Sequence, residues 1–145
     1  MQEIDVEELL AHHPYLIARK LAGTIPRRQI SKGACRLDLA FETKAGLSIA
    51  ELKKVELHPK HISQLLKYCR VWSVSRTVPL ANEHYLIGKK PANTGALEKA
   101  LARSRRKIHL RYFGEHIPRT LMMIGREYQA YDESIYSPNV VRIRI

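Results

Sequence analysis

The stretch Cys35-Arg36-Leu37-Asp38-Leu39-Ala40-Phe41-Glu42-Thr43-Lys44-Ala45-Gly46-Leu47-Ser48-Ile49-Ala50-Glu51-Leu52-Lys53 decides the fold. Residues 35–42 alternate apolar Leu37, Leu39 and Phe41 against Arg36 and Asp38, and residues 47–53 have the composition of a partly buried strand. Residues 43–46 are therefore expected to close a hairpin. A symmetric turn sets Thr43 opposite Gly46 and, counting outward, Asp38 opposite Glu51, whereas a bulge at Gly46 would shift that register. Opposed residues have Cβ atoms roughly 4.5–5.5 Å apart, and like charges there are destabilising, so stability alone gives no reason to pair two carboxylates. A divalent cation reverses the argument. Asp38 and Glu51 are hard oxygen ligands of the kind taken by Mg²⁺ or Mn²⁺, ions that keep several waters for chemistry.

Glu51 and Lys53 are two residues apart, so on a strand they share a face while Leu52 packs on the other. The Lys53 ammonium is then placed to orient or deprotonate an attacking water and to stabilise charge on a phosphate. After Pro59, the apolar set Ile62, Leu65, Leu66, Cys69 and Trp72 repeats at helical spacing to about residue 75 and is expected to be core. His61, Gln64, Tyr68 and Val71 lie beside that face by the i, i+3, i+4 rule, which makes Gln64 and Tyr68 a polar rim. His58 and His61 are expected as exposed helix-start residues, not a metal pair.

Outward from this centre, residues 5–21 carry apolar positions on one side of a helical wheel, with Pro14 opening a second turn or kink. Residues 24–31 read as an edge strand ended by Gly33. Residues 84–88 form a short strand, 93–105 a helix capped by Asn93 or Thr94, and 107–113 a strand with alternating Ile108, Leu110 and Tyr112. The order is αβββαβαβ, an α/β chain of one expected domain over 1–145. Its core runs from about 3 to 113, and an extension over 114–145 has weaker strand signals at 121–131 and 140–145. There is no internal repeat or low-complexity tract.

A chain of 145 residues, 45% hydrophobic, is long enough to bury a core without disulfides. With 25 Lys plus Arg against 14 Asp plus Glu, the formal charge of +11 favours a polyanionic partner, nucleic acid or an acidic membrane surface, and charge alone does not separate them. Apolar runs such as 121–124 are too short to span a bilayer, and residues 1–10 do not read as a signal peptide, so a cytoplasmic protein without membrane partners is expected. Cys35 and Cys69 lack metal or redox spacing and are expected as reduced structural thiols.

At Arg36-x-Asp38, Glu51-x-Lys53 and Gln64-x-x-x-Tyr68 the chain resembles the PD-(D/E)xK nuclease superfamily, and within it the nuclease domain of the archaeal NucS/EndoMS-type endonucleases. The first helix, with His13-Pro14-Tyr15-Leu16-Ile17, is similar to the helix that leads into the sheet in that family, and the resemblance covers roughly residues 3–107. It implies a restriction-endonuclease-like αβββαβ core with a central mixed sheet flanked by helices. It also implies a metal held by Asp38, Glu51 and the Leu52 carbonyl, with Lys53, Gln64 and Tyr68 assisting. Leu37 stands where the superfamily's name has proline, and no counterpart is expected in these residues to the separate N-terminal DNA-binding and dimerisation domain of the longer enzymes. Members often add an acid from the first helix. Glu3 and Asp5 fall on the borders of its apolar face while Glu7 and Glu8 point further away, so Glu3 is the favoured candidate.

The function expected from the resemblance is Mg²⁺- or Mn²⁺-dependent endonucleolytic hydrolysis of DNA phosphodiester bonds, with branched or mismatched DNA among the candidate substrates and DNA repair, recombination or replication among the candidate processes. Arg36 and Tyr68 are candidate DNA contacts beside the catalytic centre. Arg103, Arg105, Arg106 and Lys107, at the end of the third helix, suit the helix dipole and, in a basic protein, phosphate contact. A homodimer would supply two centres for two strands. Two rivals stay open: a non-catalytic DNA-binding module on the same fold, and a protein- or RNA-binding domain in which the carboxylates only pair with Arg36 and Lys53.

Overall fold

The computed structural model describes residues 3–73, 79–112, 121–124, 127–130 and 141–144, and side chains over 6–8, 10–73 and 79–112. Helix α1 (Glu3–His12) leads through two 3₁₀ turns, Pro14–Leu16 and Arg19–Leu21, to an antiparallel meander of β1 (Arg27–Lys32), β2 (Cys35–Thr43) and β3 (Gly46–Glu56). Helix α2 (Pro59–Ser73) crosses over to β4 (Glu83–Lys89), and α3 (Gly95–Arg103) to β5 (Lys107–Tyr112). Strands β3, β4 and β5 are parallel. Strands β6 (Leu121–Ile124), β7 (Glu127–Ala130) and β8 (Val141–Arg144) extend the same sheet antiparallel, in chain order.

Two cores lie on the two faces of this sheet. Val6 and Leu10 of α1, with Tyr15, Leu16, Ile17 and Leu21 of the turns that follow, pack on Leu39, Phe41, Ala50, Leu52, Tyr85 and Ile87. Ile62, Leu65 and Cys69 of α2 and Leu97 of α3 pack on Leu37, Ala40, Leu47, Ile49, Leu86 and Ile108. Parallel strands need helical crossovers, and placing both of them on one face leaves the other to α1. A mixed, open sheet flanked in this way is the restriction-endonuclease-like α/β arrangement expected from the sequence.

Several boundaries differ from the sequence reading. The first helix does not reach residue 21: it ends at His12, because Pro14 has no N–H to continue it, and the chain proceeds in single 3₁₀ turns. Strand β3 runs three residues beyond Lys53, with its pairing to β4 interrupted between Leu52 and Glu56. At α3, Thr94 occupies the cap position without a side-chain bond, and Asn93 Oδ1 accepts the Gly95 N–H at 2.8 Å.

Gly46 is required where the turn meets the segment before β4. Its φ of 120° is a conformation open to glycine, and a Cβ there would lie 2.6 Å from the Pro79 carbonyl oxygen. That approach lets the Leu47 N–H donate to Pro79 O at 2.8 Å and the Ala81 N–H donate to Leu47 O at 2.9 Å, which sets β4 beside β3.

Candidate active site

The hairpin keeps the expected register from Thr43↔Gly46 to Leu39↔Ala50, with no bulge at Gly46. There the ladder stops. Asp38 has no ladder partner in β3, and on its other side the β1 pairing skips from Arg28↔Leu39 to Ile30↔Leu37 across Gln29, whose φ is 51°. The alternation of β2 breaks at the same point: Leu39 and Phe41 face the α1 core, but Leu37 faces the α2 core. The expectation that Leu37, Leu39 and Phe41 share one face is therefore corrected, the cause being the kink at Asp38.

Carboxylates fill the gap that the ladder leaves. The Asp38 N–H donates to Glu51 Oε1 at 3.0 Å, and the Leu52 N–H donates to Asp38 Oδ2 at 2.8 Å. Glu51 is only 4% exposed. Burial first, and the charge of Asp38 second, push its pKa up to about 8. The Asp38 pKa is raised as well, by burial first, against the opposing pull of the Leu52 amide and with Glu7 adding to the rise. Two neighbouring carboxyls in a buried place resist ionising together, and a cation held between them would favour the ionised form of both.

Lys53 is brought to the same place. Its Nζ donates to Gln64 Oε1 at 2.7 Å, and Gln64 Nε2 donates to Tyr68 Oη at 2.9 Å. One turn of α2 separates His61 from Gln64 and another separates Gln64 from Tyr68, so the face beside the apolar stripe lines the site. Burial and, after it, the Glu51 charge raise the Tyr68 pKa. His61 is buried, not exposed as expected: its Nδ1 accepts the His58 N–H at 2.9 Å, and burial lowers its pKa. His58 is exposed.

The first helix contributes an acid that the sequence reading passed over. Glu7, expected to point away, is 6% exposed. Its carboxylate accepts a bond from Arg28 Nη2 at 3.0 Å and another from Gln29 Nε2, the residue opposite the kink at Asp38. The side chain of Glu3 lies outside the described residues.

The remaining candidates are not gathered here. Arg36 is exposed on β2, paired across the ladder with Ser31. Arg105, Arg106 and Lys107 stand at the start of β5, where Lys107 pairs with Glu83 at the end of the sheet nearer the β2–β3 turn. Arg106 Nη1 donates to Ala81 O at 3.1 Å, Lys107 Nζ lies 3.9 Å from Glu83 Oε1, and Arg105 is exposed. Cys35 and Cys69 are free and buried.

Among the described residues no group of three or more His, Cys, Asp and Glu side chains stands ready to hold a metal ion. The donor set that is present, two converging carboxyls with one of them buried and its pKa raised by burial first and by its neighbour second, fits a hard dication that retains much of its water. Among the described residues no helix is long and apolar enough to cross a membrane.

No model of a known protein family matches the chain, and a search of curated protein sequences finds no significant match. Among solved structures, the fold is similar to that of a repair endonuclease from Pyrococcus abyssi, with a TM-score of 0.62 at 17% identity over 78% of this chain. The chain spans about half of that protein, 47% of its length. At this identity the likeness is one of architecture, and the chain has the restriction-endonuclease-like fold.

Proposed function

We propose that the chain is a metal-dependent endodeoxyribonuclease of the PD-(D/E)xK superfamily, related to the nuclease domain of the archaeal NucS/EndoMS-type enzymes and acting in DNA repair, recombination or replication. The observation that carries this reading is the convergence of Asp38 and Glu51 at a break in the sheet beside a lysine held by Gln64. The +11 charge and the structural likeness to a repair endonuclease support DNA as the substrate.

Asp38, Glu51 and the Leu52 carbonyl would hold Mg²⁺ or Mn²⁺, which supplies Lewis acidity to the phosphate and its nucleophile. Gln64 keeps the flexible Lys53 side chain in one place, so that its ammonium meets the attacking water and the charge developing on the phosphate. Tyr68 holds Gln64 from the other side. Glu7 ties α1 to β1 through Arg28 and Gln29 and is the first-helix acid we assign to the site in place of Glu3. It acts there by holding Gln29 across from Asp38 and by adding negative potential.

The test is incubation of the pure protein with labelled duplex, branched and mismatched DNAs in Mg²⁺, Mn²⁺ or EDTA, read on a denaturing gel. Cleavage that needs the metal supports the reading, and intact DNA throughout contradicts it. One observation favours the rival of a non-catalytic DNA-binding module: both carboxylates already bond to backbone amides, and no third His, Cys, Asp or Glu is grouped with them among the described residues. DNA affinity without metal binding in calorimetry would establish that reading.

A further inference from the structure

An open groove of about 760 Å³ runs between the β1–β2 turn and the outer face of α2. Lys32, Gly33 and Cys35, at the β1–β2 turn, and Lys67, Arg70 and Val71, of α2, line it. Gln64 and Tyr68 also line it, and these two residues form the hydrogen-bonded chain that ends on Lys53. The groove therefore shares Gln64 and Tyr68 with the candidate catalytic centre. Its three cations are not neutralised: among the described residues none of Lys32, Lys67 and Arg70 is ion-paired with a carboxylate. Lys32 Nζ is 5.9 Å from the centroid of the Trp72 ring, which holds one charge at the rim.

We propose that this groove holds the sugar-phosphate backbone of the DNA strand that enters the site, with Lys32, Lys67 and Arg70 as its phosphate contacts. The inference rests on the nuclease reading for the identity of the strand and on charge complementarity for its binding. Cations that line a groove together with an aromatic side chain are the pattern by which proteins track a nucleic-acid backbone, and a polar phosphodiester is better matched to this lining than an apolar segment would be. The basic residues at the start of β5 are a weaker track, because Arg106 is bonded to Ala81 and Lys107 lies near Glu83.

The experiment measures equilibrium binding of a fluorescein-labelled 20-nucleotide strand and its duplex by anisotropy, in EDTA, over a salt series. It compares the full chain with a Lys32→Ala/Lys67→Ala/Arg70→Ala variant and with a control of equal charge loss, Lys44→Ala/Lys90→Ala/Lys99→Ala. All six residues are exposed or half-exposed, so both variants are expected to keep the parent's melting temperature. Three lost contacts should lower the slope of log K against log salt by roughly 2 for the single strand and roughly 2.7 for the duplex, while the control slope stays near the parent's. An unchanged slope in the groove variant, or equal losses in the control, overturns the proposal. Binding to anionic phospholipid vesicles that falls in the groove variant while DNA binding does not also overturns it. The nuclease reading is judged separately: a parent that binds DNA through the groove but cuts none of the DNAs in Mg²⁺ or Mn²⁺ overturns that reading alone, and a parent that cuts while the groove variant keeps its slope overturns the groove alone.

Discussion

The Asp38 N–H donates to the Glu51 carboxylate at 3.0 Å at the point where β2 and β3 part. A sheet gives up ladder hydrogen bonds only where something replaces them, and here each carboxylate takes a backbone N–H of the neighbouring strand. The arrangement satisfies the amides at the cost of holding two acids together in a buried place. A dication bound between them would relieve that cost.

The first prediction concerns stability against pH without metal. Glu51 binds its proton more tightly folded than unfolded, so its contribution is fully present below about pH 4.5 and is lost as pH rises towards about 8. His84 works in the opposite sense. It is fully buried, its Nδ1 accepts the Ile49 N–H at 3.0 Å, and burial lowers its pKa to about 4, so its contribution is present above about pH 6.5 and is lost as pH falls through 4. Melting temperature in EDTA should therefore fall between pH 6.5 and 8. In Glu51→Gln, whose amide reproduces the protonated acid, that fall should be largely absent. A parent-like fall in the variant would show that another group titrates.

Lys53→Ala is predicted to reduce cleavage by at least about a hundredfold while leaving Mn²⁺ affinity in calorimetry within about threefold, because the role proposed for the ammonium is at water and phosphate. Lys53→Arg should not restore activity, since a planar guanidinium cannot take the place of an ammonium bonded to Gln64. Parental turnover in Lys53→Ala would remove this residue from the centre.

At the start of β5, Arg106→Ala should lower stability by about 1 kcal/mol through loss of its bond to Ala81 O, whereas Arg105→Ala should leave the melting temperature unchanged. Thermal denaturation of the two single variants checks this. If Arg105→Ala alone lowers the DNA salt slope by about 0.9, that exposed residue contacts a phosphate as the sequence reading expected.

Much of this architecture was legible because it rests on periodicity and counting. The two-residue spacing of Glu51 and Lys53, the turn that sets Thr43 opposite Gly46, and the helical spacing of Gln64 and Tyr68 are all local, and each reappears in the structure. The kink at Asp38 was not legible. It depends on the positive φ of Gln29 in another strand and reverses the face of Leu37, while an alternating pattern reads the same with or without it. Glu7 was missed for a similar reason. The helical wheel over residues 5–21 ran past Pro14, and with α1 ending at His12 the buried arc includes Val6, Glu7 and Leu10.

The most direct test of the central claim is single-turnover cleavage, in Mg²⁺ and at saturating concentrations, of whichever labelled DNA the parent cuts, by the parent, Asp38→Asn and Glu51→Gln. The account predicts that both variants bind the DNA within a fewfold of the parent and lose at least about a hundredfold in rate, with melting temperatures in EDTA no lower than the parent's. Parental rates in both variants would contradict it.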